Sequence, residues 1–361
     1  MAKRTVRLKR LPQKEKVEQK VELEFLQGLR PFVLDELRTY KGARVVQTSA
    51  EAIQIEFSGE LTSLLTLRRV TAAYLITQFD VPRPKALLGD QHFRRLLSTV
   101  EQVRSLHPKG MFSSFRFGAA GSASSVFQRL AEAISKATKL RYQPDEGELL
   151  LRVRPSDEGW EVLTRLTPRP LSARVWRVCN LPGGLNACLG VAMNDLAKVK
   201  PGERYLNAMC GSGTLLIEQA LAKKPERLVG LDLDAEALEC ARQNVAAASL
   251  EKGVELRQAD TTALEFPDHS FDVVTADVPW GDAVGSHAEN AALYPAFLAE
   301  MVRVTAPRAR LVVLTHDLKL FKDVLAKQRV WQARAEVRVF HGGHYPRMFL
   351  LTKEDLERAG A

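Results

Sequence analysis

The sequence predicts an α/β protein, with a doubly wound, mostly parallel sheet in its C-terminal half and two smaller α+β units before it. Three observations carry that expectation. Residues 206–214, L-N-A-M-C-G-S-G-T, read as a strand running through a glycine turn into a helix. The next three strands end at Asp232, Asp260 and Asp277. Polar groups therefore gather beyond the carboxyl ends of the strands, where open α/β sheets hold their ligands. Residues 20–79 follow the order strand, helix, strand, strand, helix, strand, a split β-α-β pattern.

With 361 residues the chain can build two or three domains with cores of their own. No run of about eighteen apolar residues exists, which excludes a membrane-spanning helix, and the amino terminus lacks the apolar core of a secretory signal. Cys179, Cys188, Cys210 and Cys240 show no C-x-x-C spacing. Four reduced thiols in a cytoplasmic protein are expected, with neither a metal site nor disulfides.

The formal net charge of +9 is unevenly placed. Residues 1–20 hold eight Lys/Arg against two Glu, 21–89 eight of each sign, 90–175 fourteen basic against nine acidic, and 176–361 twenty-two against twenty-four. A polyanion is therefore expected at the front of the chain. Residues 1–20 read as a basic flexible tail, solvated or touching phosphate.

In chain order, 20–25 alternates as a strand. Residues 29–40 are helical, 45–47 and 52–57 are strands, 61–68 is helical and 73–79 is a strand. This ferredoxin-like unit, 21–89, sets spacing and by itself assigns no activity. Pro82-Arg83-Pro84 breaks the chain. A second unit, 90–166, reads as helix 91–105, aromatic strand 112–118, helix 124–138, and strands 149–153 and 160–166. Val126, Phe127, Leu130, Ile134 and Ala137 face inward on its second helix, and Arg129, Lys136 and Lys139 face outward. These cations suit phosphate contacts to a folded RNA or an ordinary solvated face. The linker 167–177 is stiffened by Pro168 and Pro170. Arg165, Arg169, Arg174 and Arg177 string along it, free for phosphate or paired across a domain interface.

The last unit, 178–361, opens with L-P-G-G-L-N and helix 187–196. Asn186 caps that helix or contacts a ligand. Strand 204–208 leads into Gly211-Ser212-Gly213, whose backbone can approach a ligand closely at the positive end of helix 214–223. Such a turn alone suits many doubly wound proteins. Asp232, about twenty residues on, is placed to accept from ribose hydroxyls. Helix 235–249 and strand 254–257 lead to Asp260, which can accept from an adenine amine. Strand 271–276 runs into D-V-P-W-G. The chain ends with strand 310–314, helix 318–327, and hairpin strands 332–340 and 348–352. His287 reads as solvent-exposed or near substrate, and His341 and His344 make a weak metal case. Arg347 is a further candidate for positioning RNA.

N-A-M-C-G-S-G-T, G-L-D-L-D and D-V-P-W-G resemble the motifs of class I S-adenosylmethionine-dependent methyltransferases. Over nearly the whole chain they are most similar to the RNA guanine-N2 methyltransferases that carry a THUMP domain. The family's fourth motif is Asn/Asp-Pro-Pro-aromatic, and here Val278 replaces the first proline. The resemblance implies a Rossmann-like methyltransferase domain with a seven-stranded sheet, its last strand antiparallel. A ferredoxin-like α+β domain and a THUMP-like α+β domain that binds tRNA precede it. It puts S-adenosyl-L-methionine against Asn186, Asn207, Ala208, Cys210, Gly211, Gly213, Asp232, Leu233, Asp260, Thr261 and Asp277. Asp277 and the Val278 or Pro279 carbonyl would accept from a guanine 2-amino group, with Trp280 stacking on the extruded base. The implied activity is N2-methylation of a guanosine in tRNA, in the acceptor stem because a THUMP domain grips the 3′ end. Alternatives are a ribosomal RNA guanine-N2 methyltransferase and a non-catalytic RNA-binding THUMP protein. A cytoplasmic monomer without metal is expected.

Overall fold

A computed structural model describes residues 18–281 and 286–354. The predicted basic tail lies outside the described residues except for its last three positions.

The first unit contains β1 (Gln19–Glu24), α1 (Arg30–Leu37), β2 (Ala43–Thr48), β3 (Ala52–Phe57), a 3-10 turn (Leu61–Thr66) and β4 (Ala72–Phe79). The predicted second helix is only that 3-10 turn. The Ser63 and Thr66 hydroxyls donate to the Glu60 and Ser63 carbonyls and compete with helical pairing.

The second unit holds α2 (Asp90–Arg104), β5 (Ser114–Gly118), α3 (Ser125–Thr138), β6 (Arg141–Tyr142), β7 (Leu149–Ser156) and β8 (Gly159–Arg165). The chain separates the two units, but the sheet does not. β4 pairs antiparallel with β8 from Tyr74 opposite Arg165 to Phe79 opposite Trp160. One eight-stranded sheet results, in the order β2-β3-β1-β4-β8-β7-β5-β6. Val21, Leu23, Leu75, Leu149, Leu151 and Val162 belong to its apolar core. Alternation sends Glu22, Glu24, Arg152 and Arg154 to the opposite face, where Arg154 pairs with Glu22 and Arg152 with Glu24. On α3 the buried set is Phe127, Leu130, Ala131, Ile134 and Thr138. Ala137, predicted to face inward, is exposed, because the stripe steps four residues from Ile134.

The third unit runs α4 (Ala187–Ala197), β9 (Arg204–Ala208), α5 (Thr214–Ala222), β10 (Arg227–Asp232), α6 (Ala235–Ala247), β11 (Glu255–Gln258), β12 (Phe271–Asp277), α7 (His287–Val304), β13 (Thr305–Thr315), α8 (Leu318–Ala326), β14 (Trp331–Arg338) and β15 (Arg347–Lys353). Its Rossmann-like sheet has the order β11-β10-β9-β12-β13-β15-β14. β15, the last strand, is antiparallel to both of its neighbours. The sequence reading assigned no element to α7, whose apolar stripe of Tyr294, Phe297, Leu298 and Met301 is interrupted by Pro295.

The front units dock on the third through buried and partly buried ion pairs. Glu218, 1% exposed, accepts from Arg68 Nε at 3.0 Å and Arg174 Nε at 2.7 Å. Arg69 donates to Asp195 through Nε and Nη2, at 2.5 and 2.6 Å. The Phe340 N–H donates to the Gln27 carbonyl at 2.9 Å. Next to it, a Cβ on Gly28 would fall 2.1 Å from the Arg338 carbonyl oxygen, so only glycine fits this approach.

Several sequence expectations are corrected here. Arg165 is 4% exposed, and its guanidinium donates to the carbonyls of Glu148, Thr167 and Pro168. Arg174 is held by Glu218 and the Leu171 and Arg68 carbonyls. Arg177 donates to the Leu185 carbonyl and the Thr214 hydroxyl, and Arg347 pairs with Glu336. Arg165 and Arg174 are thus engaged in internal structure and are not displayed to phosphate. Cys179 and Cys240 form a disulfide with Cα atoms 5.4 Å apart, in place of four free thiols. The partners are 61 residues apart, a separation that motif spacing does not reveal. Cys188 and Cys210 are free and buried.

Candidate active site

The chain adds β10 and β11 on one side of β9, then returns to place β12 on the other. The crevice at this reversal lies at the carboxyl ends of β9 and β12, the binding position expected of such sheets. Met209, Gly211 and Gly213 take left-handed φ values of 56°, 51° and 82°, turning the chain sharply into α5. A Cβ at Gly211 would meet no protein atom within 4 Å, so this bend borders open space.

Asp232 closes the turn. Its Oδ2 accepts from the Gly211 N–H at 2.7 Å and its Oδ1 from the Asp234 N–H at 3.1 Å. Burial raises its pKa above the usual carboxylate value, and the backbone hydrogen bonds oppose that rise. Leu233 beside it is 66% exposed. Asp260 is exposed at the end of β11, and the hydroxyl and N–H of Thr262 lower its pKa. Behind the turn, the Asn244 amide donates to the Cys179 and Ser212 carbonyls, and its Oδ1 accepts from the Val178 and Cys179 N–H groups. One α6 side chain thus ties the post-linker segment to the glycine turn.

Not every predicted ligand contact faces the crevice. Asn207 and Ala208 are both 0% exposed, and the Asn207 amide donates to the Thr275 and Ala208 carbonyls. They brace the turn from within the sheet, which corrects their assignment as ligand contacts. Cys210 and Thr261 are nearly enclosed, at 7% and 5%. Asn186 accepts from the Cys188 N–H at 2.9 Å and caps α4.

Asp277 ends β12 beside this crevice. Burial pushes its carboxyl up to about 7. The Trp280 indole N–H pulls it down, although among the described residues that buried group completes no hydrogen bond of good geometry. The Val278 N–H donates to the Leu314 carbonyl at 3.2 Å. The Pro279 carbonyl accepts twice, from Tyr294 Oη at 2.7 Å and Asn290 Nδ2 at 3.0 Å. Both its lone pairs are used, which removes Pro279 as an acceptor for substrate. The Val278 carbonyl receives no donor among the described residues.

Three imidazoles surround Trp280. His316, His341 and His344 have ring centroids 6.0, 6.0 and 6.2 Å from it, and His316 lies 4.7 Å from His344. His316, at the carboxyl end of β13, was not singled out in the sequence. Its signal was its position one strand over from D-V-P-W. Burial and the Arg177 charge hold the His341 pKa below the usual value. Among the described residues no three His, Cys, Asp or Glu gather to hold a metal. His287 pairs with Asp317 at 3.0 Å. On the front sheet's helical side, Arg129, Lys136 and Lys139 are exposed on and just beyond α3, as is Arg169 in the linker.

Comparison with known proteins fits this geometry. Residues 174–347 match the family model described as RMKL-like, methyltransferase domain. A tRNA (guanine(6)-N2)-methyltransferase of Thermus thermophilus is 32% identical over 63% of this chain and 67% of its own. One from Methanocaldococcus jannaschii is 29% identical over 60% and 67%. The crystal structure of TrmN from Thermus thermophilus superposes with a TM-score of 0.75, at 26% identity over 93% of this chain and 99% of that one. The chain belongs to the family of the tRNA (guanine(6)-N2)-methyltransferases.

Proposed function

We propose that this protein transfers a methyl group from S-adenosyl-L-methionine to the 2-amino group of a guanosine in tRNA, at position 6 of the acceptor stem. The observation that carries the reading is the pair of acceptors at the end of β12 beside the crevice at Gly211: the Asp277 carboxyl and the Val278 carbonyl, which receives no donor among the described residues.

The crevice residues fit the methyl donor. Asp232 has lone pairs left for ribose hydroxyls after serving Gly211 and Asp234. Exposed Leu233 offers apolar cover to an adenine, and Asp260 an acceptor for its amine. Bound there, S-adenosyl-L-methionine supplies a methyl group on an already activated sulfonium. The protein does the rest. A guanine 2-amino group is a weak nucleophile because its lone pair is delocalised into the ring. Asp277 and the Val278 carbonyl, each accepting one N–H, turn that lone pair out of conjugation. Asp277 then takes the proton that the methylated nitrogen sheds. Trp280, within its ring of imidazoles, provides a face for an extruded base. Arg129, Lys136, Lys139 and Arg169 supply phosphate contacts that position the RNA.

Unmodified tRNA incubated with labelled donor and mapped by mass spectrometry is expected to carry N2-methylguanosine at position 6. Label appearing in ribosomal RNA alone, or in no RNA, overturns the reading.

A further inference from the structure

Val278 leaves free a backbone angle that a proline would lock, yet the turn must hold one carbonyl and one carboxyl in fixed relation. The structure shows what holds it. On α7, Asn290 and Tyr294 stand one turn apart on the same face and both donate to the Pro279 carbonyl. Asn290 is 0% and Tyr294 1% exposed. Tyr294 Oη also lies 2.9 Å from Thr315 Oγ1, which accepts from the Asp317 N–H. The Val278 N–H is fixed to Leu314 on the other side. The peptide between Val278 and Pro279 is thus pinned at both flanks, and its own carbonyl receives no donor among the described residues.

We infer that Asn290 and Tyr294 are positioning residues for methyl transfer. By saturating the Pro279 carbonyl, they hold the Val278 carbonyl in register with Asp277 and keep the wrong acceptor from competing for the amine. This rests on the reaction proposed above. A misplacement of about 1 Å in such a pair costs about a hundredfold in rate.

The test compares Tyr294→Phe, Asn290→Ala and the double variant with wild type. Tyr294→Phe keeps the ring packed edge-on against Phe321, 5.9 Å away. Single-turnover transfer to tRNA is expected to fall about tenfold in each single variant and about a hundredfold in the double. Donor and RNA dissociation constants stay within about twofold of wild type. Amide exchange in 278–281 speeds up in the variants. Thr315→Val removes Tyr294's other partner but leaves both bonds to Pro279, and its rate should match wild type. The inference is overturned if the variants keep wild-type rates. It is equally overturned if rate, donor affinity and melting temperature fall together, or if Thr315→Val is as slow as Tyr294→Phe. An inactive wild type counts against the proposed reaction, and the exchange measurement still decides whether these residues hold the turn.

Discussion

The Gly211 N–H donates to the Asp232 carboxylate at 2.7 Å. One side chain therefore shapes the glycine turn and keeps lone pairs for a ligand. Removing it costs both. A hydrogen bond to a charged group contributes about 1.5–3 kcal/mol. Asp232→Ala is expected to weaken S-adenosylmethionine binding about ten- to a hundredfold by isothermal titration. Asp232→Asn should fall between, because an amide oxygen still accepts from Gly211. Wild-type affinity in Asp232→Ala would remove Asp232 from the site.

Asp277 gives a pH signature. Its carboxyl titrates at about 7 in the folded protein, against about 3.9 when unfolded, and only the ionised form can accept both a hydrogen bond and a proton. The kcat/KM profile should therefore rise with pH through about 7 and level off above. In kcat the limb should lie lower, because the bound sulfonium favours the carboxylate. Stability runs the other way. The unfolded chain releases this proton first, so wild type loses stability as pH climbs from about 4 to about 7. The melting temperature of Asp277→Asn should gain on wild type over that interval and keep a constant lead above it. A flat kcat/KM profile, or a lead that shrinks with pH, contradicts the assignment.

The basic residues should divide into two groups. Arg129→Ala, Lys136→Ala and Lys139→Ala should each weaken tRNA binding and lower the slope of log K against log salt by about one, with unchanged melting. Glu218→Gln leaves Arg68 and Arg174 without their carboxylate. Breaking a buried pair in this way costs about 3–5 kcal/mol, seen in denaturant unfolding, with little change in the salt slope. The opposite pattern would place the RNA surface at the domain junction.

Much of this was legible in the sequence because periodicity and chemistry coincide there. The strand ends at Asp232 and Asp277 combine a strand pattern with a polar stop, and each appears where it was expected. What escaped was determined by distant partners. Nothing local marks Arg174 as the mate of Glu218, forty-four residues on, or Cys179 as the partner of Cys240. The pairing of β4 with β8 depends on edges that neither strand's own pattern reveals. Besides His316, Asn290 was a readable clue missed, a polar residue one turn before Tyr294 on an apolar stripe, where a buried amide needs a partner.

The shared front sheet has a consequence for what the enzyme measures. β4 and β8 are laced along their length, and Arg68 and Arg69 are clamped to Glu218 and Asp195. The sheet that carries α3 is thereby tied to the third unit. With the RNA contacts proposed for Arg129, Lys136 and Lys139, the span from Lys139 to Asp277 would act as a gauge, and a stem shortened by one base pair is expected to present the wrong residue to Trp280.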